Sequence, residues 1–409
     1  MFEKRLRKYA ELLVKTGINL KPNQLLVVRS PIECADFTRV VTEVAYANGA
    51  REVIVLWGDE KTNKIKYMMA PEEIFDEFPE WQKTFYVDYA RNDAAFLSIS
   101  ASDPELMKEV DPTRMMRAQR ASSTAIAEYR ERLMNNVNVW CVASVPTVSW
   151  AEKVFSHETQ DKAVEKLWDA ILSAVRVDEE DPVAAWEVHK SALKKNMEAL
   201  NQYDFKLLKY KNSIGTDLTI ELPENHIWMG GSDFTKEGHE FIANMPTEEI
   251  FTAPKRDGVN GKVVSAMPFN LNGNIVDDFE LIFKDGRIVD FNAKVGYDTL
   301  KNVIETDEGS HFLGEVALVP YDSPISNTNI LFYNTLFDEN ASCHLAIGKA
   351  YPICVKGGED MDSETLLKNG INDSMTHEDF MIGTADLDII GITKDGREIQ
   401  VFKDGNFSL

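Results

Sequence analysis

The chain has 409 residues, 44% hydrophobic and 27% charged, the balance of an ordinary globular protein with room for two domains. Sixty-seven acidic residues against 44 basic ones leave a formal net charge of −23. A field of that sign repels phosphate backbones and anionic lipid headgroups, which argues against nucleic-acid and membrane-surface partners.

The first segment, MFEKRLRKYAELLVKTG, spaces its apolar residues as an amphipathic helix and lacks the uninterrupted apolar core of a signal peptide. No run approaches ~20 apolar residues, so a cytoplasmic protein is expected. QLLVVR (Gln24 to Arg29) then predicts a buried strand, Ala35 to Asn48 a helix ended by Gly49, and EVIVLW (Glu52 to Trp57) a second strand. That order is a parallel β-α-β unit. Strands are also predicted at Ala94 to Ile99 and Asn138 to Val142, with one long helix, Arg114 to Leu133, between them. Helices over Thr159 to Val175 and Asp181 to Asn201 close an open, mostly parallel α/β domain, residues 1–204.

Beyond Asp204 the punctuation changes. Asn212, Gly215, Gly230-Gly231, Asn272-Gly273 and Asp285-Gly286 mark turns between short alternating runs. LIFKDGRIVDF (Leu281 to Phe291) predicts a hairpin about an Asp-Gly turn, and VFKDGNF repeats the cue. Residues 205–409 are therefore expected to form a β-rich α+β domain. Neither half carries a Walker loop, a G-x-G-x-x-G after the first strand or a G-x-S-x-G elbow. The four cysteines, Cys34, Cys141, Cys343 and Cys354, contain no CxxC pair and are expected to be reduced.

Candidate chemistry gathers in the second half. In HEDFMIG, His377 and Asp379 lie two residues apart, so on a strand imidazole and carboxylate project to one side. Such a pair suits zinc, cobalt or manganese, although a hydrogen-bonded pair at a strand end is the plain alternative. His344 sits among small and apolar residues in DENASCHLAIGKAYP, where a helix would bring Tyr351 onto its face two turns later. Glu315 opens a buried apolar run in LGEVALVP and needs a partner, because a buried carboxylate is costly alone. Glu249, in NMPTEEIFTAP, is either a site carboxylate or a helix-start residue near Thr247; Glu248 is solvated or supports a neighbour. Together, three carboxylates and two histidines in apolar settings fit two adjacent divalent ions with at least one bridging carboxylate. Tyr351 could donate to the oxyanion of a tetrahedral intermediate. His311 is assigned a structural role, His226 and His239 ordinary surface positions, and Trp228 the core. His157 and His189 have no evident partners.

NMPTEEIFTAP, LGEVALVP, ENASCHLAIGKAYP and HEDFMIG, in that order along a chain of this length, resemble the thermophilic-type aminopeptidase family that includes aminopeptidases S, T and PepS. The resemblance implies an exopeptidase that removes N-terminal amino acids from peptides with a free N-terminus, using water activated by two divalent metal ions. It implies metal binding by Glu249, Glu315, His344, His377 and Asp379, with Tyr351 and Glu315 catalytic, and homodimers whose active sites face an enclosed cavity. Two rival classes remain at this level: an amidohydrolase acting on small metabolites, and a binding protein whose carboxylates are structural.

Overall fold

Leu26, Val27 and Val28 are fully buried at the centre of the first strand, Leu25–Pro31, as an unbroken apolar run in a parallel sheet should be. The computed structural model describes residues 2–271 and 274–409, so the Asn272-Gly273 turn lies outside the described residues. The chain divides into two compact units, Met1–Val188 with Ser232–Pro246, and His189–Gly231 with Thr247–Leu409. The change of composition near Asp204 falls just after the helix Pro182–Tyr203, which contains the junction between them.

The first unit is built on a five-stranded sheet. Its order is Asn244–Met245, Trp140–Ser144, Ala95–Ser100, Leu25–Pro31, Glu52–Gly58, and every pairing is parallel. The predicted strands and helices lie within a few residues of their expected places. The last sheet position was not foreseen: it is filled by Asn244–Met245, far along the chain. The single long helix expected over Arg114 to Leu133 is two, Pro112–Ala125 and Ala127–Met134, broken where Ile126 leaves helical geometry. The break sets Ile126 and Tyr129 into the apolar cluster that holds Val27 and Phe96. Helices Glu60–Met69, Glu80–Arg91 and Val148–Val154 were not expected. The first of these buries no residue and rests on an Asp59 cap, so it has little apolar periodicity to read.

The second unit contains two antiparallel sheets. The nine-stranded sheet includes the Asp-Gly hairpin, Asn274–Lys284 with Arg287–Val295, turned at Asp285 (φ 49°) and Gly286 (φ 81°). Two positive φ values are what a two-residue type I′ turn requires. The five-stranded sheet has the order Met229–Gly230, Ile250–Thr252, Leu313–Leu318, His344–Gly348, His377–Met381. One of its faces carries Ile250, Val316, Leu318, Leu345, Ile347 and Phe380 into the main core of the unit. Burying each such side chain contributes about 1.5–3 kcal/mol, which anchors the sheet and dictates which residues face the other way. All four cysteines are free and buried. Among the described residues, no helix is long and apolar enough to cross a membrane.

Candidate metal centre

Period-two alternation from Glu315 onward, after a register shift between Leu313 and Glu315, delivers the site. In LGEVAL the core takes Leu313, Val316 and Leu318, leaving Glu315 and Ala317 on one side; in HLAIG, Leu345 and Ile347 face the core. The remaining residues of the second strand, His344, Ala346 and Gly348, therefore share a face with Glu315. Register completes it: Glu315 pairs with Ala346, Ala346 with Asp379, and Gly348 with His377. The helix considered for His344 to Tyr351 is not formed; His344–Gly348 is a fully buried strand. Its end at Gly348, φ 106°, turns the chain so that Tyr351 lies beside the His377 ring, with centroids 5.1 Å apart. Glu249 immediately precedes the strand Ile250–Thr252 and starts no helix.

All five predicted ligands converge. Among the described residues two groups could hold a cation, Glu249–Glu315–His344 and Glu315–His377–Asp379, each with ligating atoms within 4.8 Å of one another. His344 Nε2 lies 3.3 Å from Glu249 Oε2 and 3.9 Å from Glu315 Oε1. His377 Nε2 lies 3.2 Å from Glu315 Oε2 and 3.4 Å from Asp379 Oδ1. The opposite ring nitrogens are committed: His344 Nδ1 donates to the Ser342 carbonyl at 3.1 Å and His377 Nδ1 to that of Lys349 at 2.6 Å. A carbonyl only accepts, so each Nδ1 carries its hydrogen and each Nε2 is presented to the carboxylates. That is how proteins orient imidazole toward a metal.

The charge balance tests the fit. Glu339, unnoticed in the sequence, also reaches this region: burial pushes its carboxyl well above the usual range, and Glu249, Asp379 and Glu315 push it further. Burial likewise raises Glu315, against the pull of His377. Asp379 is held low, because His377 and His344 outweigh its burial. Burial would depress both rings, yet Glu249, Asp379 and Glu315 drive His344 up to about 10, and Asp379 and Glu315 raise His377 well above its ordinary value. Four carboxyl groups face two imidazoles, so all four can ionise together only if positive charge beyond the two protonated rings is supplied. Among the described residues Asp379 Oδ1, wholly buried, has no hydrogen-bond partner. Oxygen and nitrogen donors in this ratio suit a divalent first-row ion. The Tyr351 phenol is pushed well above its normal range by burial and by the same carboxylates, so it keeps its proton at neutral pH.

The remaining candidates fall elsewhere. Glu248 is not solvated: its side chain is 3% exposed, and His189 Nε2 lies 3.6 Å away while contacting the Thr247 carbonyl at 2.8 Å. His189 therefore has partners that its isolated position in the sequence concealed. His226 and His239 are buried, at 8% and 7% exposure, contrary to the surface assignment. Their rings meet the carbonyls of Pro223 and Asn19, at 2.9 and 2.7 Å, which replaces lost water. Trp228 is fully buried in the main core, as expected. His311 lies beside Arg287 and Glu308, and His157 is exposed. Glu339 carried one readable signal, its place at the head of the ENASCHLAIG segment.

Comparison with known proteins points to a metalloprotease family. The family described as thermophilic metalloprotease (M29) matches residues 2–407. Aminopeptidase 2 of Geobacillus stearothermophilus is 47% identical over 407 residues, covering 100% of this chain and 98% of that protein. Aminopeptidase AmpS of Bacillus subtilis is also 47% identical over 407 residues, covering 100% and 99%. The solved structure of wild-type AmpT from Thermus thermophilus superposes with a TM-score of 0.94 at 38% identity, covering all of both chains. With the family matched from end to end, this chain belongs to the thermophilic metalloproteases, family M29.

Proposed function

We propose that this metalloprotease is an aminopeptidase that removes N-terminal residues from peptides at a two-metal centre. The observation that carries the two-metal reading is the position of Glu315. Its Oε1 faces His344 Nε2 at 3.9 Å and its Oε2 faces His377 Nε2 at 3.2 Å. Glu315 is thus the carboxylate shared by both groups, with Glu249 and His344 completing one and His377 and Asp379 the other. Divalent ions held there supply Lewis acidity, polarising a carbonyl and bringing the ionisation of water into the neutral range. Zinc, cobalt and manganese all suit these donors.

The chain's own groups do the rest. Ser342 and Lys349 carbonyls hold the two rings in the tautomer that presents Nε2. Tyr351, protonated at neutral pH and wedged between Phe251 and His377, is the donor for the developing oxyanion. Glu339, held neutral by burial and by the neighbouring carboxylates, would ionise only when a cation, such as a metal ion or a substrate's free ammonium group, is bound beside it. The relatives named aminopeptidases support an exopeptidase over an amidohydrolase. The family resemblance extends the proposal to a cytoplasmic homodimer. The test is release of p-nitroaniline from leucine p-nitroanilide. Activity should vanish with a chelator, return with zinc, cobalt or manganese, and be absent on the N-acetylated substrate. A folded, metal-loaded protein inert on several aminoacyl anilides would remove the aminopeptidase reading.

A further inference from the structure

Two buried asparagines outside the ligand set touch the backbone that presents it. Asn372 is 1% exposed, and its Nδ2 donates to the carbonyls of Gly348 at 2.6 Å and Gly309 at 2.8 Å. Its Oδ1 accepts from Arg256 Nε at 3.0 Å, and its own carbonyl accepts from Ala350 N at 3.0 Å. The side-chain amide holds the peptide group before Lys349, whose N donates to the Thr376 carbonyl at 2.8 Å, and the Asn372 backbone holds the peptide group after it. The Lys349 carbonyl, so held, is the acceptor that orients His377 through Nδ1 at 2.6 Å.

Asn340 is fully buried and does the equivalent on the other side. Its Oδ1 accepts from Glu248 N at 2.7 Å, while His189 Nε2 contacts the Thr247 carbonyl of the same peptide group at 2.8 Å. That peptide leads directly into Glu249. Asn340 Nδ2 donates to the Leu336 carbonyl at 3.0 Å and reaches Glu339 Oε1 at 3.4 Å. Neither asparagine shares a hydrogen-bond partner with the other.

We infer that Asn372 and Asn340 are separate positioning residues, the first bracing the His377–Asp379 ion and the second the Glu249–His344 ion, so that the two ions are tuned independently. The inference rests on the two-metal reading. An amide is suited to this task because it donates and accepts at once without adding charge to a strongly acidic centre. Groups that orient metal ligands typically change affinity by about 10–100-fold when removed.

The test is titration of the metal-stripped full chain with cobalt alone, followed by its visible absorption and by calorimetry. Wild type should take two ions. Asn372→Ala should weaken one of them about 10–100-fold and leave the other within roughly twofold. In the Asp379→Ala background, which keeps the Glu249–His344 ion, adding Asn372→Ala should change nothing further, whereas adding Asn340→Ala should weaken the remaining ion. Equal weakening of both ions by Asn372→Ala, or no weakening of either, overturns the independent braces and leaves the two-metal reading intact. A wild type that takes a single ion overturns that reading and the inference with it. Should Asn372→Ala not fold, Asn372→Asp keeps the volume and the acceptor for Arg256 while removing both donors, and carries the same expectation.

Discussion

Glu315 and Asp379 stand in register with the same residue, Ala346, from opposite sides of its strand. Two strand spacings put their backbones about 10 Å apart, and the residue between them contributes only a methyl group. Small residues on this face, Ala317, Ala346 and Gly348, leave room for a charged cluster, while the opposite face of the same strands is filled with Leu, Ile, Val and Phe.

Replacing Ala346 with Leu should therefore fill the space between the carboxylates while leaving the core face untouched. Overpacking costs about 1–3 kcal/mol, which a protein of this size tolerates. The expected result is a folded protein by circular dichroism whose cobalt affinity falls at least ~10-fold and whose peptidase activity is lost. Normal cobalt uptake would mean that the ions do not sit over Ala346.

Metal uptake should release protons. Without a bound ion, His344 holds its second proton up to about pH 10, because Glu249, Asp379 and Glu315 outweigh the effect of burial. An ion needs the neutral ring, so each histidine it engages expels one proton, and affinity should rise about tenfold per pH unit per proton released. The sign for stability is opposite. A histidine raised from 6.5 to about 10 contributes stability that is complete below 6.5 and lost as pH climbs through 10. Metal-stripped protein should thus melt at progressively lower temperature from pH 7 to 10, and the metal-loaded protein should not share the trend. Proton release in weak buffer and paired melting curves measure both.

Tyr351→Phe removes one hydroxyl and keeps the ring that packs on Phe251 and His377. A lost oxyanion donor typically costs about 10²–10³ in kcat, with little change in KM. A rise in KM with kcat unchanged would instead assign the tyrosine to substrate binding.

Gly348→Ala tests the turn that ends the His344 strand. The residue has φ 106°, and a Cβ there would lie 2.2 Å from the Thr376 carbonyl oxygen, next to His377. A backbone atom cannot rotate away, so a loss of about 1–3 kcal/mol in urea unfolding is expected, together with weaker metal binding. Gly357→Ala is the control: φ is 74° but nothing lies within 4 Å, so about 1–2 kcal/mol from backbone preference alone should be lost, with metal affinity unchanged.

Much of this centre was legible in the chain. The spacing of His377 and Asp379 says that they share a face, the apolar run behind Glu315 says that it is buried, and four motifs in order carry the family. The β-α-β opening and the Asp285-Gly286 hairpin were readable because local propensity and tertiary environment agree there. The split at Ile126 and the helix Glu60–Met69 were not, because each depends on packing or capping with weak local periodicity.

A period of two is a local property of a regular strand, so the sequence alone put His377 and Asp379 on one face; it did not do so for His344, whose segment admitted a helix, or across the irregularity before Glu315. Which strands become neighbours, and in what register, depends on pairings between segments as distant as Glu315 and Ala346, and no local pattern encodes them. Only the folded chain therefore placed Glu315 in both candidate ligand groups and set Glu339 beside them. It also set Asn340 and Asn372 against the backbone next to those groups, since a buried amide is defined by the distant backbone groups it satisfies.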